Sequence, residues 1–311
     1  MGRFGRLETG WLARTALYTS PRAVTPTSAD PIELQSTDTS SIQRNRLVSP
    51  MRELERDSIP SPLNAAKPLV VVGRGRVGAS LAKAADLAGI EVRLVGRDGT
   101  IDGAGAVLLC VPDDAIAEAC GRIADAAPPL VGHVSGASTL DVLAAAQKRG
   151  ASTFSLHPLQ TFADEKTPVE GTPAAIAGSD DAALAFARSL TEALAMRPFE
   201  VPEESRAAYH AAAAIASNLL VALEESAAEL LERIGVEDAR ELLAPLVLRT
   251  AANWAEQGPA ALTGPIARGD RATVQRHRVA LAETAPELVR LYDALAMRAE
   301  AIAWESHGVS S

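Results

Sequence analysis

A glycine-rich segment at residues 73–78 has the spacing that holds the phosphates of a dinucleotide. It follows the apolar run Leu69–Val72 and precedes an Ala-rich helical segment. In the G-x-G-x-x-G pattern the first glycine permits a tight turn, the second lets the backbone approach a pyrophosphate, and the third packs the helix close to the strand. A loop that binds nothing is the alternative, but the flanking strand and helix favour a cofactor site. The predicted cofactor contacts in this turn are Gly73, Arg74, Gly75, Arg76, Val77 and Gly78.

The choice between NADP(H) and NAD(H) depends on the residue that ends the second predicted strand. An acidic residue there accepts hydrogen bonds from the ribose 2′-hydroxyl of NAD(H). Here the position holds Arg97, and a guanidinium can pair with a 2′-phosphate through two hydrogen bonds. We therefore predict NADP(H) as the cofactor. The alternative is that Arg97 is a solvated loop residue and Asp98, one position later, binds the ribose.

Further candidates stand where the next predicted strands end, because ligands of open α/β sheets bind outside the carboxyl ends of the strands. Val111 and Pro112 follow the third strand and are predicted to contact the cofactor. Either Asp113 or Asp114, just beyond, is predicted to cap the following helix. The next strand ends in a turn whose Ser135 and Gly136 are predicted to lie near a nicotinamide, whereas His133 is predicted to be a buried structural histidine.

Short β-rich runs alternate with helical segments from Lys67 to about Val201, a pattern typical of a parallel, doubly wound sheet. After Pro202 only helical patterns remain. The predicted strands are Leu69–Val72, Val92–Val95, Ala106–Val111, Leu130–Val134, Thr153–Leu156, Ala174–Ala177 and Pro198–Val201. The predicted domains are a disordered extension at 1–66, a dinucleotide-binding domain at 67–201 and a helical substrate and dimerisation domain at 202–311.

Length and composition limit the class of protein. The 311 residues, 47% of them hydrophobic, are enough for two domains, and the net charge of −9 disfavours binding to nucleic acid or acidic membranes. The two cysteines, Cys110 and Cys120, are predicted to be buried thiols in a reducing compartment, which favours a cytoplasmic protein. No apolar run was expected to span a bilayer. A start at Met51 is an alternative to the long N-terminal extension, and the Ala-rich helical domain predicts a homodimer.

Three further motifs carry a resemblance to a known family. They are Ser155-Leu-His157-Pro158-Leu-Gln-Thr-Phe162, Tyr209-His210-Ala-Ala-Ala-Ala-Ile-Ala-Ser217-Asn218 and Leu262-Thr-Gly264-Pro265-Ile-Ala-Arg268-Gly269-Asp270. From about Pro68 onwards the chain resembles the bacterial Rossmann-like proteins with a Domain of Unknown Function 2520. It is more distantly similar to ketopantoate, 3-hydroxyisobutyrate, pyrroline-5-carboxylate and deazaflavin-dependent NADP oxidoreductases. This resemblance implies a Rossmann domain followed by an all-α domain of the 6-phosphogluconate dehydrogenase C-terminal type, and a reductase activity.

The chain departs from its distant relatives at one catalytic position. Hydroxyacid dehydrogenases of this group use a lysine four residues before an asparagine as the general acid, but here Asn218 is preceded at that spacing by Ala214. His210 stands one further helical turn back, so we predict that it protonates the substrate, with Asn218 and His157 as further catalytic candidates. Each histidine has a structural alternative: His210 would begin a packed helix, and His157 would fix a turn with Pro158.

Substrate contacts are predicted for Ser217 and Arg268, the latter as a grip on a carboxylate, with a surface ion pair as its alternative. The predicted function is NADP(H)-dependent reduction of a small 2-oxo acid-like carbonyl or imine compound. Two alternatives stay open: a non-catalytic NADP(H)-binding sensor or scaffold, and hydride exchange with a second cofactor such as a deazaflavin. No metal is expected in the site.

Overall fold

The computed structural model describes residues 62–96, 99–123, 126 and 128–308. The predicted extension up to residue 61, including Met51, lies outside these residues. So do Arg97 and Asp98, on which the choice of cofactor depends.

Seven strands form a single sheet in the order β2-β1-β3-β4-β5-β6-β7. All seven predicted strands are present, with ends that shift by at most a few residues. Glycine or proline lies within a few residues of each strand end, and such turn-forming residues mark where an apolar run stops. Each strand therefore ends close to its predicted end. The strands are β1 (Leu69–Val72), β2 (Val92–Val95), β3 (Ala106–Leu109), β4 (Leu130–His133), β5 (Ser152–Pro158), β6 (Pro173–Gly178) and β7 (Arg197–Glu200).

The sheet is parallel except at one pair, β5 and β6, which run antiparallel. A parallel connection needs a crossover element, usually a helix, to return the chain to the starting edge. Residues 159–172 between these strands contain no helix, so the chain turns back directly. The sheet is doubly wound as predicted, and this antiparallel pair is its one departure from the parallel order among the described strands. The reversal makes β5 the last strand of the parallel set, and its carboxyl end carries His157.

Helices cover both faces of the sheet and then continue alone to the carboxyl end. On one face Leu81, Phe186 and Leu190 pack with Phe154 of the sheet, and on the other Ile116 and Leu143 are fully buried. The helices are α1 (Pro62–Ala65), α2 (Arg76–Leu87), α3 (Ile116–Ile123), α4 (Ala144–Gln147), α5 (Asp181–Ala193), α6 (Arg206–Ala216), α7 (Asn218–Arg233), α8 (Ala239–Gln257), α9 (Gly264–Ala267), α10 (Arg271–Thr284) and α11 (Val289–Gly308). Short 3-10 turns at Asp113–Ala115, Leu140–Leu143, Glu203–Ser205, Gly258–Ala261 and Pro286–Leu288 lead into or follow these helices.

Residues 62–66, which the sequence assigns to the N-terminal extension, pack with the sheet. Helix α1 occupies Pro62–Ala65, and Ala66 after it is buried at 4% exposure in the sheet's main core. Leu63 packs against the same core. These small and apolar side chains gain burial by folding over the sheet, so the boundary lies at least five residues earlier than predicted.

The helical pattern after Pro202 predicts one long helix over Glu203–Ile234, but the chain breaks at Ser217, whose backbone (φ −126°, ψ −82°) is not helical. Helix α6 ends at Ala216 and α7 starts at Asn218. The span Glu203–Arg233 is long and apolar enough, by length and composition, to cross a membrane, contrary to the sequence-based expectation, and only 6% of its apolar window is buried within the chain. Its side chains therefore form a largely uncovered surface.

Candidate functional site

The glycine turn lies where β1 gives way to α2, between the neighbouring strands β2 and β3. Gly73 has φ +120°, and a Cβ there would lie 2.1 Å from the carbonyl oxygen of Cys110 on the next strand. A Cβ at Gly78 would lie 2.0 Å from the carbonyl oxygen of Gly73. Both positions therefore require glycine. They close the turn tightly against the strand end, as the motif predicts.

The middle glycine of the turn faces open space. No atom lies within 4 Å of the position that a Cβ on Gly75 would take, and no side chain caps the start of α2. The helix therefore presents uncapped backbone N–H groups and the positive end of its dipole to this space. These features fit the pyrophosphate of a dinucleotide. Of the flanking arginines, Arg74 is exposed, and Nη1 of Arg76 donates to the carbonyl oxygen of Phe162 at 3.4 Å.

The turn that follows β4 is held by the hydroxyl of Ser135. This buried group donates to Asp113 Oδ2 at 2.8 Å and accepts from the backbone N–H of Ser138 at 3.0 Å. Asp113 therefore bonds across to this turn, and no side chain caps the 3-10 turn that it begins, which corrects its predicted capping role. Ser135 shapes the turn through its side chain, and the next residue, Gly136, forms the surface that the histidines contact.

Arg206 anchors the start of α6 beneath this turn. Its side chain is 1% exposed, and its Nη2 donates to Ser155 Oγ while its Nη1 donates to the carbonyl oxygen of Ser135 at 3.5 Å. Its Nε pairs with Glu203 Oε1 at 3.2 Å, and Glu203 Oε2 accepts from the N–H of Leu140 at 2.6 Å. The ends of β4 and β5 are thus tied to α6 through one buried guanidinium.

Because His210 lies one helical turn after Arg206, the anchor brings its ring to the same strand ends. A Cβ on Gly136 would lie 2.8 Å from His157 Nε2 and 2.8 Å from His210 Nδ1. The two ring nitrogens therefore both approach one small region of the turn after β4, and the ring centroids lie 6.1 Å apart. Tyr209 completes the cluster, with its hydroxyl 2.6 Å from His157 Nδ1.

Burial and charge set the protonation of this cluster. Burial lowers the pKa of His157 to about 4; His210 and Arg206 add to this effect, while Asp113 opposes it. Burial raises the pKa of Tyr209 to about 12. Both groups are therefore neutral near pH 7. His133 is fully buried, accepts from the N–H of Ser135 at 3.1 Å through Nδ1, and has a pKa lowered by burial to about 4, as suits the structural role predicted for it.

A cavity of about 580 Å³ opens beside these rings. Its wall combines the two histidines and Tyr209 with small alanine side chains from α6 and a loop that follows β5. That loop is the one whose Phe162 contacts Arg76, so the cavity and the glycine turn lie at one edge of the sheet. The lining residues are His157, Leu159, Gln160, Thr161, Phe199, Tyr209, His210, Ala212, Ala213, Ala214, Ala216, Ser217 and Asn218.

The structure brings together four of the five predicted catalytic and substrate-binding residues. His157, His210, Ser217 and Asn218 line the cavity, although the last two reach it through the break at Ser217 and not along one continuous helix. Arg268 is exposed and lines a separate cavity of about 770 Å³ between α9, α10 and α11.

Sequence reasoning did not select Tyr209 and Arg206. Tyr209 belongs to the second family motif, directly before His210. Arg206 lies one helical turn before His210, and this spacing was the signal that could have selected it. The hydrogen-bond partner of Tyr209 is His157 and that of Arg206 is Ser155, and each lies about fifty residues earlier in the sequence.

Residues 172–299 match the family described as Domain of unknown function (DUF2520). The carboxyl-terminal part of the chain thus carries this domain, which confirms the resemblance drawn from its motifs. The match begins just before β6 and so includes two strands of the sheet with the helices. The motif around His157 lies outside it. Among curated proteins, none matches the chain in sequence.

Solved structures share the fold over most of the chain. BF3122 from Bacteroides fragilis, named as a candidate NADP oxidoreductase, is 23% identical with a TM-score of 0.62, covering 75% of this chain and 97% of its own. Protein TM1727 from Thermotoga maritima is 22% identical with a TM-score of 0.63, covering 77% and 99%. A reductive aminase from Aspergillus terreus, in complex with NADPH and ethyl-5-oxohexanoate, is 18% identical with a TM-score of 0.54, covering 74% and 92%.

These likenesses, with the sheet order and the glycine turn, define the class of fold. The chain is an α/β protein with a Rossmann-type sheet followed by an all-helical carboxyl-terminal region.

Proposed function

We propose that this chain is an NADP(H)-dependent oxidoreductase that reduces a small carbonyl compound, such as a 2-oxo acid, or an imine. The observation that carries the proposal is the meeting of His157, Tyr209 and His210 over Gly136, beside a cavity at the same sheet edge as an open glycine turn. A bound nicotinamide supplies a hydride, and reduction then needs a proton donor close to the acceptor oxygen or nitrogen. The histidines are the proposed source of that proton.

Each part of the site has a proposed task. The glycine turn and the first N–H groups of α2 hold the pyrophosphate, and Arg97 pairs with the 2′-phosphate that distinguishes NADP(H). Val111, Pro112 and Gly136 follow the strand ends along which the cofactor extends. Asn218 and Ser217 offer neutral hydrogen-bonding groups to the substrate. Arg268 lies in another cavity of the same chain, so its proposed contact with a substrate carboxylate requires a second copy or a movement.

A second copy of the chain is the proposed partner. Among the described residues from α6 to α11, the buried apolar side chains are few and mostly alanine: Ala228, Ala239, Leu281, Ala285 and Ala296. Large apolar side chains on the same helices are more than half exposed: Ile215, Leu219, Val221, Ile234, Leu242, Leu246, Leu248, Trp254, Met297 and Trp304. A region with so little core of its own is stabilised when an equal surface covers it, and a two-fold dimer supplies that surface.

The uncovered surface continues into the cavity. Ile215 and Leu219, 64% and 57% exposed, flank the cavity residues Ser217 and Asn218. A second copy seated on this face would also close the open side of the cavity. Closure would exclude water, which strengthens hydrogen bonds to a developing negative charge.

The test is oxidation of NADPH, followed at its absorbance band, with the full chain and a panel of 2-oxo acids, neutral ketones and cyclic imines. NADPH binding is measured separately by fluorescence titration. Gly75→Asp is the control, because the open space around Gly75 admits the side chain without a clash while its carboxylate repels the pyrophosphate. We expect that this variant folds, loses NADPH affinity and loses turnover.

Turnover of any member of the panel supports the proposal. Tight NADPH binding without turnover on the whole panel contradicts the reductase and favours the binding module.

A further inference from the structure

Tyr209 is the polar side chain of the cluster for which the proposed function gives no task. Its hydroxyl lies 2.6 Å from His157 Nδ1, with the two rings edge-to-face at 5.5 Å. Its ring also packs edge-to-face with Phe199, with the ring centroids 5.9 Å apart. Two ring contacts and the hydrogen bond of its hydroxyl therefore hold Tyr209 in one orientation.

The direction of the bond between Tyr209 and His157 follows from the number of protons available. A neutral imidazole carries one N–H, on either Nδ1 or Nε2, and a phenol carries one O–H. His157 Nδ1 is the one hydrogen-bond partner of the Tyr209 hydroxyl within the described residues. If His157 donated to the phenol oxygen, the phenol proton would be left without an acceptor in a half-buried place, which is costly. Donation from Tyr209 to Nδ1 gives the phenol proton an acceptor, and the imidazole nitrogen is a stronger base than the phenol oxygen, so this direction is favoured.

This direction leaves the remaining proton of His157 on Nε2. That nitrogen approaches Gly136 and has no hydrogen-bond partner among the described residues, and His157 itself lines the cavity. A donor N–H without a protein partner, on a residue that lines a cavity, is free to hydrogen-bond a ligand. His210 differs, because its Nδ1 is buried without a hydrogen-bond partner in the described part of the chain.

We propose that Tyr209 is a positioning residue, which fixes His157 as the Nε2–H tautomer so that His157 donates the proton in the reduction. This inference rests on the proposed function. As the carbon atom of the substrate is reduced, the Nε2–H bond of His157 breaks and a new bond forms from that proton to the substrate oxygen or nitrogen. His157 Nδ1 takes the phenol proton of Tyr209; when the product leaves, that proton returns to the tyrosinate and His157 Nε2 takes a proton from solvent, which restores the starting pair.

The surroundings of His157 are consistent with this role at neutral pH. The charged and titratable groups around it are Arg206 below, Asp113 across the turn after β4, and the rings of His210 and Tyr209 from α6. Arg206 is fixed and positive, and it opposes a second proton on His157. It also favours negative charge on a phenol or on a substrate oxygen close by. A neutral imidazole that gives up one proton and takes another therefore suits this position.

Tyr209→Phe tests the inference, because it keeps the ring between His157 and Phe199 and removes only the hydroxyl. The chain offers a matched control in Tyr292→Phe. The Tyr292 hydroxyl lies 2.9 Å from His277 Nδ1 and the rings are edge-to-face at 5.9 Å, so the same kind of pair is removed away from the cavity.

The first measurement is the tautomer of His157 by 15N NMR of histidine-labelled protein without cofactor. His157→Gln assigns the signal among the five histidines. We expect a single Nε2–H form in the parent protein and in Tyr292→Phe, and a mixture of both neutral tautomers in Tyr209→Phe. The second measurement is turnover, which should fall by roughly tenfold to a hundredfold in Tyr209→Phe, the scale of a weakened proton donor, with NADPH affinity unchanged.

The outcomes separate the two proposals. If Tyr209→Phe leaves both the tautomer and the turnover unchanged, the positioning role is refuted while the reductase stands. If the tautomer becomes mixed but no substrate is reduced by the parent protein, the assignment of the hydrogen bond holds and the reductase is refuted. A parent protein with His157 in the Nδ1–H form overturns the inference directly.

Discussion

Gly136→Ala places one methyl group at the point where His157 and His210 meet. The added Cβ would lie 2.8 Å from both Nε2 and Cε1 of His157 and 2.8 Å from Nδ1 of His210. Comfortable contacts between such atoms lie near about 3.5 Å, so the rings must move by more than about half an ångström. The φ of Gly136 is not in the left-handed region, so the backbone accepts alanine and the clash is the whole effect.

The size of the effect follows from this crowding. A shift of about 1 Å in a reacting group can cost about 10²-fold in rate, so turnover should fall by that order. Overpacking costs about 1–3 kcal/mol of unfolding free energy, which lowers the melting temperature by roughly 2–4 °C for each kcal/mol. NADPH affinity should fall less than turnover, because the glycine turn that holds the pyrophosphate belongs to another strand end and Gly136 is proposed to lie only near the nicotinamide.

The assay is steady-state NADPH oxidation with the best substrate of the panel, beside thermal melting and NADPH titration. Gly121→Ala is the matched control: it makes the same substitution on helix α3, at an exposed position where no atom lies within 4 Å of the new Cβ. It should keep full activity and gain about 0.5–1 kcal/mol, as is usual for glycine to alanine in a helix. A Gly136→Ala protein with parent-like rate and stability would refute the arrangement of the two histidines.

Three further predictions concern the cofactor, the partner and pH. NADPH should bind at least about tenfold tighter than NADH, as expected for a paired 2′-phosphate. Arg97→Ala should remove most of this preference. Equal affinities for the two cofactors in fluorescence titration would contradict the role of Arg97. Light scattering at micromolar concentration should give the mass of two chains. Leu219→Glu should shift the mass towards one chain, whereas Leu87→Glu should not, because Leu87 is 78% exposed on α2, away from the proposed interface. A monomeric parent protein would rule out the dimer. Burial lowers the pKa of both His133 and His157 to about 4, from about 6.5 in the unfolded chain. The unfolded state therefore binds more protons between these values, and the unfolding free energy should fall as pH drops from about 6.5 towards 4. Urea unfolding should show a shallower fall in His157→Gln and an unchanged one in His277→Gln, and equal stability at pH 5 and pH 7 would contradict the burial of these rings.

Local patterns in the sequence were sufficient for the sheet and for the glycine turn. Strands β1 and β2 have the predicted bounds, because each is an apolar run closed by glycine or a charged residue. The turn is equally local in its motif, since Gly78 packs on the carbonyl oxygen of Gly73 five residues before it. Such features depend on residues within a few positions of one another, and a single sequence displays them directly.

The cluster of His157, Tyr209 and His210 depends on the tertiary structure. Tyr209 and His157 are 52 residues apart, and Arg206 and Ser155 are 51 apart, so no periodicity relates them. Their meeting depends on where α6 docks, and that is decided by one buried guanidinium bonding to two strand ends. The antiparallel pairing of β6 with β5 is of the same kind, because it is seen only where the two strands meet. Sequence reasoning therefore selected His157 and His210 as catalytic candidates, and only the folded chain shows that Tyr209 contacts His157 and that Arg206 fixes the start of α6.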